Sequence, residues 1–319
     1  MTSVRAAVLL LLGLSLASLT EAPAQESACD AFALNLTVDD VGVSIGDATR
    51  TTGVRLNFGD RCLQTANGIN ATLFPPFAAT GTVNGLALGL PLTGSSRLRG
   101  LGIGVGLFFG NASVRRVGAV NGVLLGGIAT VAESRAHGLL VGGLGTGVGA
   151  SATGVVVGGG TAVATGPGRG LFLGGIAAGT GGTSTGLLAG GLGAGTTGSL
   201  RGTALSLGAV GVGEQLVGLG LGGIGVGSRE AIVGVAVGGG ALGTNILTGW
   251  GAGGYVYVGS RLQGVTTAAI NHVGGTQHGL TIGLLNYARE LRGVQIGLLN
   301  VARNNPLWAT ILPVLNINL

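Results

Sequence analysis

From Gly122 to about Asn300 the chain repeats one phrase: a glycine, an uncharged and largely apolar run of about ten residues, then a short polar join. The leading glycine returns at Gly138, Gly154, Gly170, Gly186, Gly202, Gly218 and Gly234, in steps of 16. The step shortens to 15 at Gly249, Gly264 and Gly279, and to 14 at Gly293. A second glycine follows four places later in most units, as in Gly126, Gly142, Gly158, Gly174 and Gly190, with Ser206 and Ala268 breaking that column. So short a fixed period is the signature of a repeat architecture rather than of a globular enzyme core.

Within the unit, the first position after the glycine is apolar (Val123, Leu139, Val155, Leu171), and so is the third (Leu125, Val141, Val157, Leu173). Side chains alternate along a strand, so these two positions share one face. Their Val and Ile content suits strands. A helix is disfavoured, since each interior glycine costs it roughly 1 kcal/mol relative to Ala. Position two reads Leu124, Leu140, Val156, Phe172 and Leu188, so both faces are apolar in the early units; it softens later to Thr266, Thr281 and Gln295.

The charges between Gly122 and Arg303 are Glu133, Arg135, Arg169, Arg201, Glu214, Arg229, Glu230, Arg261, Arg289, Glu290, Arg292 and Arg303. Every one lies ten or more places after its leading glycine, which predicts a polar connection after each uncharged strand. Ten strand residues at roughly 3.3 Å span about 33 Å, enough when tilted to cover the ~25 Å apolar band of an outer-membrane barrel. An Arg at the bilayer midplane costs about 2–4 kcal/mol, a reason for its exclusion from the run. The expected fold is therefore all-β: an up-and-down, outer-membrane-type β-barrel of about sixteen to eighteen strands, with the lipid bilayer as its partner. The alternative is a parallel β-solenoid, secreted or surface-attached, acting as an adhesin or binding module for an unknown surface ligand. Parallel stacking of successive leading glycines would decide for the solenoid.

Composition adds limits. The chain has 70 glycines among 319 residues, 8% charged residues and a mean hydropathy of +0.64, too apolar for disorder. No uninterrupted apolar run of transmembrane-helix length follows residue 30. The net charge is +5, all cations are Arg, and they are spread one per join with few aromatics between, which excludes a nucleic-acid surface. At the start, Arg5, the apolar run Ala6 to Leu16 and Ala22-Pro23-Ala24 form a secretory signal peptide, residues 1–24. Residues 25–81 are read as an entry region, 82–303 as the repeats and 304–319 as a closing strand.

Candidate chemistry is sparse. Cys29 and Cys62 are either one disulfide, plausible in an exported chain, or two free thiols. They lack metal-site spacing and a neighbouring histidine. Asp39-Asp40 point to opposite faces if on a strand, and read as a solvated loop. His137, His272 and His278 read as wall and turn residues, and Trp250, Tyr255 and Tyr257 as either an interfacial aromatic cluster or wall packing. Glycine strings such as Gly145-Thr146-Gly147-Val148-Gly149 carry no dinucleotide signal without a following helix and acid. No catalytic residue, metal site or cofactor is expected, and the chain is read as not an enzyme.

The last units are the sharpest: Gly279-Leu-Thr-Ile-Gly-Leu-Leu-Asn286, then Gly293-Val-Gln-Ile-Gly-Leu-Leu-Asn300, followed by Asn304-Asn305-Pro306 and Leu312-Pro313-Val314-Leu315-Asn316. This pattern resembles the bacterial surface-repeat proteins with G-L-Q-I-G-L-x-N units and a terminal L-P-x-x-N segment. The match is close over 279–319, fair over 82–104 and only periodic over 122–263. The resemblance implies an exported bacterial surface or envelope protein and assigns no activity.

Overall fold

A computed structural model of the chain describes residues 32–59, 62–73, 81–109 and 118–318. The chain divides into two compact units, Met1–Asp30 and Ala31–Leu319, and all the described residues lie in the second. The expected signal peptide and Cys29 fall outside the described residues.

The units do not run up and down. Gly154 pairs with Gly138 on one side and Gly170 on the other, both in parallel register. The same parallel pairing links Gly42, Gly53, Gly68, Gly85, Gly100 and Gly122, and Gly186, Gly202, Gly218 and Gly234. The barrel expectation is therefore wrong, and the protein is a parallel β-solenoid. The reason lies in the join. A coil returns on itself only if each repeat holds two strands and two corners, and 16 residues divide that way.

The coil that begins at Ala136 shows the division. Ala136–Gly142 forms the long side, Gly143 and Leu144 turn the chain, and Gly145–Val148 forms the short side. Gly149, Ala150 and Ser151 make the second corner before the next long strand, Ala152–Gly158. The uncharged run is thus two short strands folded back to back around a tight corner, not one wall-crossing strand. Arg169 and Arg201, expected in connections, lie on the long strands Gly168–Gly174 and Leu200–Ser206, exposed, one place before the leading glycine.

The leading glycines explain the period. They have φ between +120° and +147° from Gly53 to Gly293. A Cβ on Gly154 would lie 2.1 Å from the carbonyl oxygen of Gly138 in the coil before. Both the backbone conformation and the stacking distance thus require glycine. The second glycine serves the corner: a Cβ on Gly142 would lie 2.1 Å from the carbonyl oxygen of Gly145, where the long and short sides converge.

The core lies between the two sides and is one residue layer thick. On the long side the inward positions are the second before and the second after the leading glycine, and their sizes are complementary. Ala136 accompanies Leu140, Ala152 accompanies Val156 and Ser184 accompanies Leu188; from the coil at Leu200 the large residue changes place, with Leu200 beside Ala204 and Ile232 beside Ala236. Gly168 leaves room for Phe172, whose Cζ would lie 2.8 Å from a Cβ there. Interiors packed to crystal density need such volume exchange.

Both ends depart from the pattern. At the start, Ala33–Val38 and Val41–Gly46 form an antiparallel hairpin. Asp39 and Asp40, both at positive φ, make its exposed turn, consistent with the loop reading. Arg55 is wholly buried in the next coil, donating to Asp47 Oδ1 at 2.6 Å, Asn70 Oδ1 at 2.8 Å and the Ala48 carbonyl at 2.9 Å. At the other end, Ile311–Asn318 runs antiparallel along the last coil. Its apolar residues Ile311, Leu315 and Ile317 face out while Asn316 is buried, an alternation a barrel strand would also show, but here the strand covers the last coil and closes no ring. Asn316 donates to the carbonyls of Asn300 and Ala309.

Asparagine enters the core in the last coils. Asn271 Nδ2 donates to Asn286 Oδ1 at 2.8 Å, and Asn286 Nδ2 donates to Asn300 Oδ1 at 2.7 Å. Each amide also reaches a backbone carbonyl, Ile282 for Asn271 and Ile296 for Asn286. The ladder begins at Asn271, seven places after its leading glycine, where the coil before has buried Val256.

Candidate binding groove

Outward positions of the short side are mostly glycine and alanine over the 16-residue coils, as in Gly145 and Gly147, Ala177 and Gly179, Gly193 and Gly195, Gly225 and Gly227. In the last coils this bare surface acquires rings. Tyr257, His272 and Tyr287 each stand eight places after their leading glycine, so the coil spacing stacks them in a column. The Tyr257 and His272 centroids are 5.5 Å apart with planes at 56°, and those of His272 and Tyr287 are 4.8 Å apart at 52°. These distances and tilts lie within the range for favourable aromatic contact.

Beside the column is an open groove of about 890 Å³. It is lined by Gly274 and Gly275, which carry no side chains, and by His272, Tyr287, Thr276, Arg289, Glu290, Arg303 and Asn304. The cations there are in two states. Arg292 donates from Nε and Nη2 to Glu290 Oε1 at 2.9 and 2.6 Å, while Thr276 donates to Glu290 Oε2 at 3.0 Å. The Arg292 hydrogen bond first, then that from Thr276, holds the Glu290 carboxyl below the usual carboxylate range. Arg289 and Arg303 are exposed, and their guanidinium groups have no hydrogen-bond or ion-pair partner among the described residues. The groove thus offers ring faces beside two unengaged guanidinium groups, which suits flat apolar faces carrying carboxylate or phosphate.

A second depression of about 490 Å³ lies over Gly211, Gly227 and Gly243, with Thr196, Ser228 and Arg229 among its walls. It lacks aromatic rings.

The sequence-derived candidates are distributed as follows. Trp250, Tyr255 and Tyr257 do not act together: Trp250 is on the outward face of the long side, Tyr255 is at the corner, and Tyr257 alone joins the ring column. His272 lies within that column and His278 does not. Of the expected cysteine pair, Cys29 is outside the described residues; Cys62 is buried and its N–H donates to Asp47 Oδ2 at 3.2 Å. Among the described residues, no group of three or more His, Cys, Asp or Glu is placed to hold a metal ion. Tyr287, Arg289 and Arg303 were missed as groove residues. Their signal was position: Tyr257, His272 and Tyr287 are 15 apart, and Arg289 and Arg303 are 14 apart, matching the local period.

No protein-family model matches the chain, and no curated protein or solved structure matches it.

Proposed function

We propose that this chain is an exported, non-enzymatic binding module of the bacterial cell surface, with the C-terminal groove as its ligand platform. The observation that carries this reading is the stacked Tyr257–His272–Tyr287 column beside the unpaired Arg289 and Arg303. The rings and Arg289 sit on ladder strands and Arg303 in the turn directly after one, which holds them at fixed spacing and lowers the ordering cost of binding. Export and the surface location rest on the N-terminal pattern and on the resemblance of residues 279–319 to surface-repeat proteins. The ligand class that fits is an acidic polysaccharide: sugar-ring faces lie on aromatic rings and carboxylates meet guanidinium forks.

The test is titration calorimetry of the full chain against an acidic polysaccharide such as polygalacturonate and a neutral one such as dextran. Binding of the acidic polymer alone is expected, weakened at least about tenfold by Arg289→Gln with Arg303→Gln and also by Tyr287→Ala. Binding that survives all three substitutions, or equal binding of both polymers, would remove the groove as the platform.

A further inference from the structure

The described coils from Gly122 to Thr244 segregate polarity across their section. Five of their charges (Glu133, Arg135, Glu214, Arg229 and Glu230) lie at the three-residue corner, and Arg169 and Arg201 lie on the second residue of the long strand that leaves it, ahead of the leading glycine. The opposite, two-residue corner carries a ridge of protruding apolar side chains, Leu144 and Leu192 at 71% exposure, Leu207 at 83% and Ile224 at 69%, with Ile128 and Ile176 in the same row. The long side adjoining it presents outward Leu139, Val141, Val155, Val157, Leu171 and Leu173, and the short side presents glycine and alanine. The end is also thin, because the second glycine, present in all these units but that of Ser206, lets the two sides converge.

We propose that this thin apolar end is a wedge that embeds in one leaflet of a lipid membrane, with the charged corner at headgroup level. Three observations favour lipid over other occupants. First, the N–H groups of the ridge are already paired with the neighbouring coil: Leu144 N–H donates to the Ile128 carbonyl at 2.6 Å, Ile176 to Gly160 at 2.7 Å, Leu192 to Ile176 at 2.7 Å and Ile224 to Gly208 at 2.8 Å. Entry into hydrocarbon therefore leaves these N–H donors paired, which lowers the cost that normally bars non-helical chain from lipid. Second, the size fits. From the leading glycine to the corner is six residues, or about 20 Å, against about 15 Å for the apolar half of a bilayer. Third, the surface is a convex ridge flanked by two uncharged faces. A second copy packed on one face leaves the ridge and the other face in water, whereas acyl chains cover all three.

The polar corner is suited to the boundary. The arginines at it and just past it, Arg135, Arg169, Arg201 and Arg229, are placed to meet anionic headgroups. The inference does not rest on the polysaccharide groove, which lies among the last coils toward the polar corner and stays in water in this arrangement.

The experiment is flotation of the full chain with phosphatidylcholine–phosphatidylglycerol vesicles, comparing the parent with Leu144→Asp and Leu192→Asp. Both side chains are largely exposed, so the fold, followed by far-UV circular dichroism, is expected to persist. Residues 1–24 are common to all forms, so differences between forms report the solenoid alone. Each substitution is expected to lower the partition coefficient at least about tenfold. In a Trp250→Phe, Trp308→Phe background carrying Leu192→Trp as the single tryptophan, brominated acyl chains are expected to quench the fluorescence. Unchanged flotation of the folded variants, or unquenched fluorescence of the single-tryptophan form, would overturn the wedge. So would a discrete dimer by sedimentation that is dissociated by the same substitutions and does not float.

Discussion

The column of leading glycines makes a strong and testable demand on stability. Consider Gly154→Ala in the middle of the array. Its φ is +123°, a conformation that L-residues occupy at a cost of about 1–3 kcal/mol. The added Cβ would also stand 2.1 Å from the Gly138 carbonyl oxygen and 3.0 Å from its carbon. Backbone cannot swing aside as a side chain can, so the two coils must separate and weaken the ladder between them. Loss of even one or two ladder bonds adds about 1–3 kcal/mol, for a total of about 2–6 kcal/mol. The control is Gly147→Ala on the outward short side, where the new Cβ meets nothing within 4 Å and φ is not positive. There the reduced freedom of the unfolded chain should leave stability unchanged or raised by about 0.4–1 kcal/mol. Urea unfolding followed by far-UV circular dichroism, with hydrogen exchange to localise the loss, measures both. Repeat arrays can unfold in parts, so protection at residues 136–158 is the sharper readout. If Gly154→Ala and Gly147→Ala differ by less than about 1 kcal/mol, glycine is not required by the stacking and the explanation of the period fails.

Further outcomes follow from the core and the groove. Asn286→Ala removes the centre of the asparagine ladder and leaves the Asn271 amide and the Ile296 carbonyl short of a partner; a loss of about 2–4 kcal/mol is expected in urea unfolding. Arg55→Met leaves the Asp47 carboxylate without its guanidinium in the entry coil, and a loss of about 3–5 kcal/mol is expected by the same measurement. Gly168→Ala overpacks against Phe172 and Thr180 and should cost about 1–3 kcal/mol, with part recovered by adding Phe172→Leu; absence of recovery would reject the volume-exchange account. The Glu290 carboxyl, held low by Arg292 and Thr276, should titrate below ordinary carboxylates in an NMR pH series and rise in Arg292→Met. Because its folded value is depressed, the pairing is in force above the ordinary carboxylate range and is lost as pH falls through that lower value.

Much of this protein was legible along the chain. The period, the strand character of the run and the separation of residues 279–300 as the sharpest units all follow from spacing, because a stack imposes the same environment on the same position in every coil. Alternation was legible too: Leu139 and Val141 share a face, as period two demands. The fold within the all-β class was not. A ten-residue uncharged run satisfies a tilted membrane strand and a strand–corner–strand equally well in length and charge. Only the contact between coils separates them, and that contact is between residues 16 apart whose direction the sequence does not state. The same holds for the groove: His272, the pair Tyr287 and Arg289, and Arg303 belong to three successive units in the chain, and only stacking brings them together. Local pattern determined that these residues form strands with glycine at fixed places. The tertiary structure decided that successive glycines lie in parallel register, because the φ and the approach distance that glycine alone permits are realised only when one coil rests on the next.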